Sequence, residues 1–432
     1  MKIHLSRLSL AMLLATVVAT SPSLLRAQPT TFVYVNDNNS SFGLNSATGY
    51  QAVGGGLSII AGSPFGTTST GLGTFLAPVQ EVAISYGVPN QACLYVSDPL
   101  GTSAFPNGDV AAFLINTTTG VLTLVGNYDD PTDTSGPNKL GIPLAVDRRL
   151  GFPYFFAAFT AENAIAFFKV NTSTCQLFYA SSTTAIGLSG GSVQGMAVSK
   201  AGPKILVTTY GDGSVQSFKI LGGTLGALPI FNSTGFMNAS QRGIPAGVDI
   251  TRNGRFVVFG DDQGGFTEVE VAKILSSGAL APTVDYGGPV IASGVNLGPG
   301  LNSQNIWISP GPVGGLNYLY VTNDGSGQVT TAHLSIITGV VSQIASSACT
   351  AGYTNPTALN PGSWIFPAGV HTLKTTPSGS GIVVAEYGAP SSVAALAIQN
   401  ASGCTRELST SPFADPFSNS LYSIDVFPSR QY

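Results

Sequence analysis

The chain has 432 residues, 44% hydrophobic and only 9% charged, with 53 Gly and 27 Pro. Its apolar residues cluster into short runs, which excludes a low-complexity or disordered chain and leaves enough material for a sizeable core. A formal charge of −4, about −7 without the first 27 residues, and the lack of a Lys/Arg stripe argue against nucleic acid or an anionic membrane as partner.

In chain order, Lys2 and Arg7 precede the apolar run Leu8 to Thr20, and Leu25-Arg26-Ala27 offers a cleavage site. That is the pattern of a secretory signal peptide over 1–27. The run is too short to span comfortably, and no other stretch reads as a membrane helix. The expectation is an exported protein (periplasmic, cell-surface or extracellular) whose residues 28–432 form one domain without a transmembrane span.

From Thr31 onward one phrase returns seven times: a β-branched and aromatic strand, a small polar turn, a second strand and often a Thr-Gly-type turn. Related strands start near Phe32, Tyr154, Ile205, Phe256 and Ile382, and the clearest copies are Leu94-Tyr95-Val96-Ser97-Asp98 and Leu319-Tyr320-Val321-Thr322-Asn323-Asp324. Each copy expands to four strands. Blade four, for example, has an innermost strand at Met196-Ala197-Val198-Ser199 and a third at Val215 to Ile220. Surplus length falls between copies, in segments such as 127–140, 231–245, 285–303 and 346–368. A unit that cannot bury its own faces must stack on copies of itself.

The chain ends supply the closure. Residues 31–36 read as a second strand without an innermost partner, and that partner appears as Tyr422-Ser423-Ile424-Asp425-Val426-Phe427. Joining them leaves no unpaired radial edge. The fold class is therefore all-β, a seven-bladed β-propeller of four-stranded blades closed by pairing the C-terminal strand with the N-terminal strands. Four cysteines in an exported chain fit two disulfides. Blade geometry favours Cys93 with Cys175, near turns on one face of adjacent blades, and elimination then joins Cys349 to Cys404, which are expected toward opposite ends of their strands.

Leu319-Tyr320-Val321-Thr322-Asn323, the Thr-Gly turn before the fourth strand and Ala61-Gly62-Ser63-Pro64-Phe65 resemble the Tyr-Val-Thr-Asn repeat propellers. More specifically, the chain resembles the lactonase family of seven-bladed propellers, related to 6-phosphogluconolactonase and the muconate-type cycloisomerases. The resemblance covers essentially all of 28–432 and implies a ligand site around the central channel mouth, where active members carry His and Arg near the starts of inner strands. Here only Val370-His371-Thr372-Leu373 places a histidine there.

Period-two alternation puts Asp249 on the channel side of its innermost strand, with Asp425, Lys374 and Trp307 in the same layer beside Ala83, Ala145 and Ala197. Glu81, Asn305, Thr372 and Ser423 fall one layer nearer the mouth. Opening a lactone needs a base to activate water and a donor to hold the developing oxyanion. Glu81, Asp249 and Asp425 are candidates for the base, and Lys374 and His371 for the donor. Trp307, Asn305, Thr372 and Ser423 are candidate ligand contacts, although alternation also points His371 toward the sheet. The structural alternative is that all of these line a hydrated channel and satisfy one another.

His333 reads as structural, and so few histidines exclude an imidazole-rich metal centre. An acidic residue recurs near each second-to-third turn: Asp37, Asp98, Glu162, Asp212, Asp261, Asp324 and Glu386. These serve turn chemistry better than calcium, the one cofactor they would suit. Gly187-Leu188-Ser189-Gly190-Gly191 matches a nucleophile elbow without its strand-to-helix context. The interblade segments carry Tyr128, Phe236, Tyr286, Tyr353, Trp364 and Phe366, which suit carbohydrate stacking or loop anchoring. Two functions follow: a propeller binding a small polar ligand at the channel mouth and hydrolysing a lactone, or a non-catalytic envelope module that recognises a carbohydrate or protein with its long loops.

Overall fold

The computed structural model describes residues 30–428, apart from 40–44, 54–55, 72–81, 87–90, 139–140, 148–153, 188–189, 228–244, 262–267, 283–294, 297–302, 311–315, 360–368, 388–390, 419–420 and 422. Seven antiparallel sheets follow one another around an axis. Blade 1 is built from both chain ends, in the order Ile424–Phe427, Phe32–Asn36, Ser46–Val53 and Gly56–Ile59 from hub to rim. The innermost strands of blades 2 to 7 are Val82–Tyr86, Leu144–Val146, Val193–Val198, Pro245–Ile250, Ser303–Pro310 and Gly369–Thr375. Tyr34 lies directly opposite Asp425, and Phe32 opposite Phe427, so the C-terminal strand closes the ring.

The fourth strand differs from the simple repeat. In blades 1, 5, 6 and 7 the third strand is completed by a second short piece: Phe65–Gly66, Val295–Asn296, Thr357–Ala358 and Phe413–Ala414. Pro64, Pro356 and Pro412 stand at three of these breaks, where a residue without an N–H ends the ladder. Blades 2 and 3 instead keep one long strand with a bulge, at Ala112/Phe113 and Phe167/Phe168.

Large aromatics pack the blades together. Tyr34, Tyr95, Tyr210 and Tyr320 from second strands are fully buried, as are Phe155, Phe156, Phe167 and Phe168. The Thr-Gly turn between third and fourth strands docks on the preceding blade. A Cβ on Gly120 would lie 2.5 Å from Phe32, and Tyr34 donates its hydroxyl to Gly120 O at 2.7 Å. Gly403 meets Tyr318 in the same way, and Tyr318 donates to Asn400 O at 2.7 Å. In blade 3 the equivalent left-handed position is Cys175, with φ 63°, and it is bonded to Cys93 of blade 2. A disulfide there replaces the contact of aromatic ring and glycine. The second bond joins Cys349 to Cys404, with Cα atoms 5.7 Å apart, so these two meet at one end of blades 6 and 7 rather than at opposite ends.

A four-stranded meander puts the first-to-second and third-to-fourth turns at one end of the ring, here the turn face. The second-to-third turns and interblade segments lie at the other, the loop face. Nine lysines and arginines fall among the described residues, and each lies toward the turn face. Lys200, Lys204, Arg252 and Arg255 flank first-to-second turns, and Lys169, Lys219 and Lys273 sit near the ends of third strands. Arg406 opens a fourth strand and Lys374 nears the end of an innermost one. Most carboxylates crowd the loop face, among them the buried Asp37, Asp98, Asp109, Asp324, Glu386 and Asp415.

Candidate functional site

At the hub, both faces of an innermost strand look toward neighbouring blades, and this governs where its polar side chains go. Asp425 Oδ2 accepts the main-chain N–H of Ile84 in blade 2 at 2.9 Å, while Oδ1 accepts that of Val426. Asp249 repeats the arrangement between blades 5 and 6, with Oδ2 accepting from Ile308 N at 3.0 Å and Oδ1 from Ile250 N at 2.8 Å. Ser423 Oγ accepts from Val82 N at 2.9 Å. The carboxylates of Asp249 and Asp425 thus staple adjacent innermost strands. A buried carboxylate accepting main-chain N–H groups is satisfied by them, and it satisfies donors that would otherwise be orphaned.

Asp249 makes one further contact. Lys200 Nζ, from the first-to-second turn of blade 4, reaches Asp249 Oδ1 at 2.8 Å. The same ammonium stands 5.0 Å from the centre of the Trp307 ring in blade 6, and Lys374 Nζ of blade 7 stands 4.1 Å from it. Both distances lie within the roughly 6 Å reach of cation–π attraction. Trp307 donates its indole N–H to Thr375 Oγ1 at 3.0 Å, which fixes the ring plane. Lys374 is 4% exposed and Trp307 8%. Four consecutive blades thus contribute to one belt of ammonium, carboxylate, indole and ammonium, toward the turn face of the hub: Lys200 from a turn, and Asp249, Trp307 and Lys374 from innermost strands.

Lys200 was not among the residues singled out in the sequence. It follows the strand end by two positions, and only its reach across a blade reveals it. Asn305 and Thr372 are buried beside the belt's strands, and Asn305 exchanges hydrogen bonds with Thr322 through its main chain. The starts of the innermost strands of blades 4 to 7 carry register shifts, which break a simple two-residue count there. Gly247 shows how closely these strands approach, since a Cβ there would lie 2.5 Å from Asn305 Cα. His371 belongs to the strand Gly369–Thr375, but its side chain lies outside the description. Glu81, Trp364, Phe236, Tyr286 and Phe366 lie outside the described residues.

Other candidates resolve locally. His333 stacks on Tyr318 with ring centres 5.4 Å apart, and partial burial lowers its pKa. Asp212 Oδ1 accepts from Ser214 N and Oγ, a side-chain-closed turn, and Oδ2 accepts from Gly191 N. A Cβ on Gly187 would lie 2.4 Å from that carboxylate, so Gly187 and Gly191 make room for Asp212. Among the described residues, no group of three or more His, Cys, Asp or Glu is placed to hold a metal ion.

Two buried carboxyl pairs flank blade 1 on the loop face. At the join with blade 2, Asp98 accepts from Asn45 and Thr67, and Asp109 accepts from Ser69 at 2.7 Å and Asn127 at 3.0 Å. Burial pushes Asp98 well above the carboxylate range, with the Asp109 charge adding to it, and burial raises Asp109 to about 7. At the join with blade 7, Tyr50 donates to Asp415 at 2.8 Å and Ser46 to Asp37 at 2.5 Å. Burial raises both acids, Asp37 further through the neighbouring Asp415 charge. Carboxyls this close and this buried cannot both ionise cheaply.

No protein-family model matches this chain, and no curated protein does. Solved structures do. A Bacteroides uniformis protein provisionally assigned as a 6-phosphogluconolactonase is 12% identical, with 92% of this chain and 100% of that one covered at a TM-score of 0.64. The periplasmic gluconolactonase of Pseudomonas aeruginosa is 13% identical, covering 92% and 99% at a TM-score of 0.61. A Lactobacillus plantarum protein gives the same identity, coverage and score. At such identities the likeness speaks for architecture, and the chain shares the seven-bladed propeller fold of these lactonase-type structures.

Proposed function

We propose that this is an exported lactonase-type propeller whose hub binds a small polar molecule, with sugar lactones as the substrate class. The observation that carries the reading is the pair of ammonium groups, Lys200 and Lys374, held against one buried indole near the ring axis. An indole face stacks on a sugar ring, and a cation removed from bulk water stabilises the oxyanion that forms as a lactone carbonyl is attacked. Asp249 and Asp425 are committed to adjacent strands, so the water-activating base is assigned to Glu81, near the start of the blade 2 innermost strand. The fold likeness to a periplasmic gluconolactonase and the two disulfides support export and this substrate class.

The test is base uptake at constant pH by the purified protein with aldonolactones and aliphatic lactones. Turnover is expected, with Lys374→Met lowering kcat about 100-fold, the scale of losing one oxyanion donor, and Glu81→Gln lowering it as much. Absence of turnover on every lactone, together with calorimetric binding of a glycan or protein, would replace this reading with that of a recognition module.

A further inference from the structure

We infer that the turn face is a docking surface for an anionic lipid bilayer. Blades 3, 4 and 5 each place a lysine opposite the first residue of their second strand: Lys169 opposite Tyr154, Lys219 opposite Ile205 and Lys273 opposite Phe256. All three are exposed. Each stands beside an exposed apolar side chain. Phe178, 53% exposed, pairs across the strands with Lys169, Leu221 follows Lys219 by two residues on the same side of its strand, and Leu275, 38% exposed, lies just past the end of the strand that carries Lys273. Blade 6 continues the row with Ile337 at 62% and Val340 at 40% exposure.

Opposing charge is scarce on this face. Of the acids described there, Asp147, Asp249 and Asp425 are buried and Glu407 is half-buried. The sequence alone hides this surface because the three exposed lysines Lys169, Lys219 and Lys273 are about fifty residues apart. The ring assembles them, although the whole chain is net acidic.

A lipid surface fits better than an anionic polymer for two reasons. Ion pairing with a polymer has no use for an exposed aliphatic next to each cation, whereas a bilayer interface takes both: charge on the headgroups and apolar side chains at the acyl boundary. The described first-to-second and third-to-fourth turns end at one side of the ring, so the exposed lysines and apolar side chains of successive blades share one face.

The experiment is co-sedimentation of the purified protein with phosphatidylglycerol–phosphatidylcholine vesicles and with pure phosphatidylcholine vesicles, beside a heparin column. Binding is expected only to the anionic vesicles, weakening as salt rises. Lys219→Glu with Lys273→Glu should lower the partition coefficient at least about tenfold, from the contribution of each cation near such a surface. Leu221→Ser with Leu275→Ser should lower it too while leaving heparin retention unchanged. Unchanged melting temperatures verify that these surface variants fold. Equal binding to both vesicles, binding to neither, or heparin retention without vesicle binding would overturn the inference.

Discussion

Asp249 and Asp425 occupy the same place in two distant blades and do the same work, each holding the next innermost strand by its main chain. Sequence alternation found the positions but not the partners, because the main-chain N–H groups these carboxylates accept belong to the next blade. Lys374 and Trp307 were legible as a layer, whereas Lys200 was not, since its contact depends on a side chain crossing to the next blade. The carboxyl pair at the join of blades 1 and 2 gives a prediction at this scale. Asp109 titrates near 7 when folded against an ordinary 3.8, so the folded chain keeps a proton that the unfolded chain has released between those values. Stability contributed by this group therefore falls as pH rises from about 4 to 7. Asp109→Asn should flatten that part of the pH dependence, measured by urea unfolding across the window. An unchanged slope would show that Asp109 does not hold the proton.

The repeat phrase itself was legible as strands and turns, and the structure shows why its Thr-Gly element recurs. The turn is a plug that fits against an aromatic of the preceding blade, as Gly120 does on Phe32 and Gly403 on Tyr318. The splitting of the fourth strand was not legible, because a two-residue strand such as Thr357–Ala358 carries no periodicity to detect. Gly403→Ala should cost about 2 kcal/mol, combining a left-handed φ of 79° with a Cβ 2.5 Å from Tyr318. Gly352→Ala, at φ 85° with a Cβ no nearer than 3.5 Å to the Arg406 side chain, carries the backbone strain alone and should cost less. Denaturant unfolding of the two variants separates the effects, and equal losses would remove the plug from the account.

For the molecule as a whole, closure by the two chain ends was readable because one strand was missing at the start and one was spare at the finish. Charge segregation was not, since it appears only when seven copies are set side by side. A chain ending at Leu421 lacks the closing strand and exposes Phe32–Asn36 as an unpaired edge. It should elute as aggregate and lose its cooperative unfolding transition, and a synthetic peptide of residues 422–432 should restore monomer. A monomeric, cooperatively unfolding truncated chain would make the closing strand dispensable.

Phe32 and Phe427 face one another at the same end of blade 1, where the polypeptide enters and leaves the ring. A molecule anchored to a bead or sensor chip by either terminus would consequently be held in one orientation, its interblade segments turned outward to the passing solution. Two surfaces coated through opposite termini should then look alike to any analyte that approaches from that side.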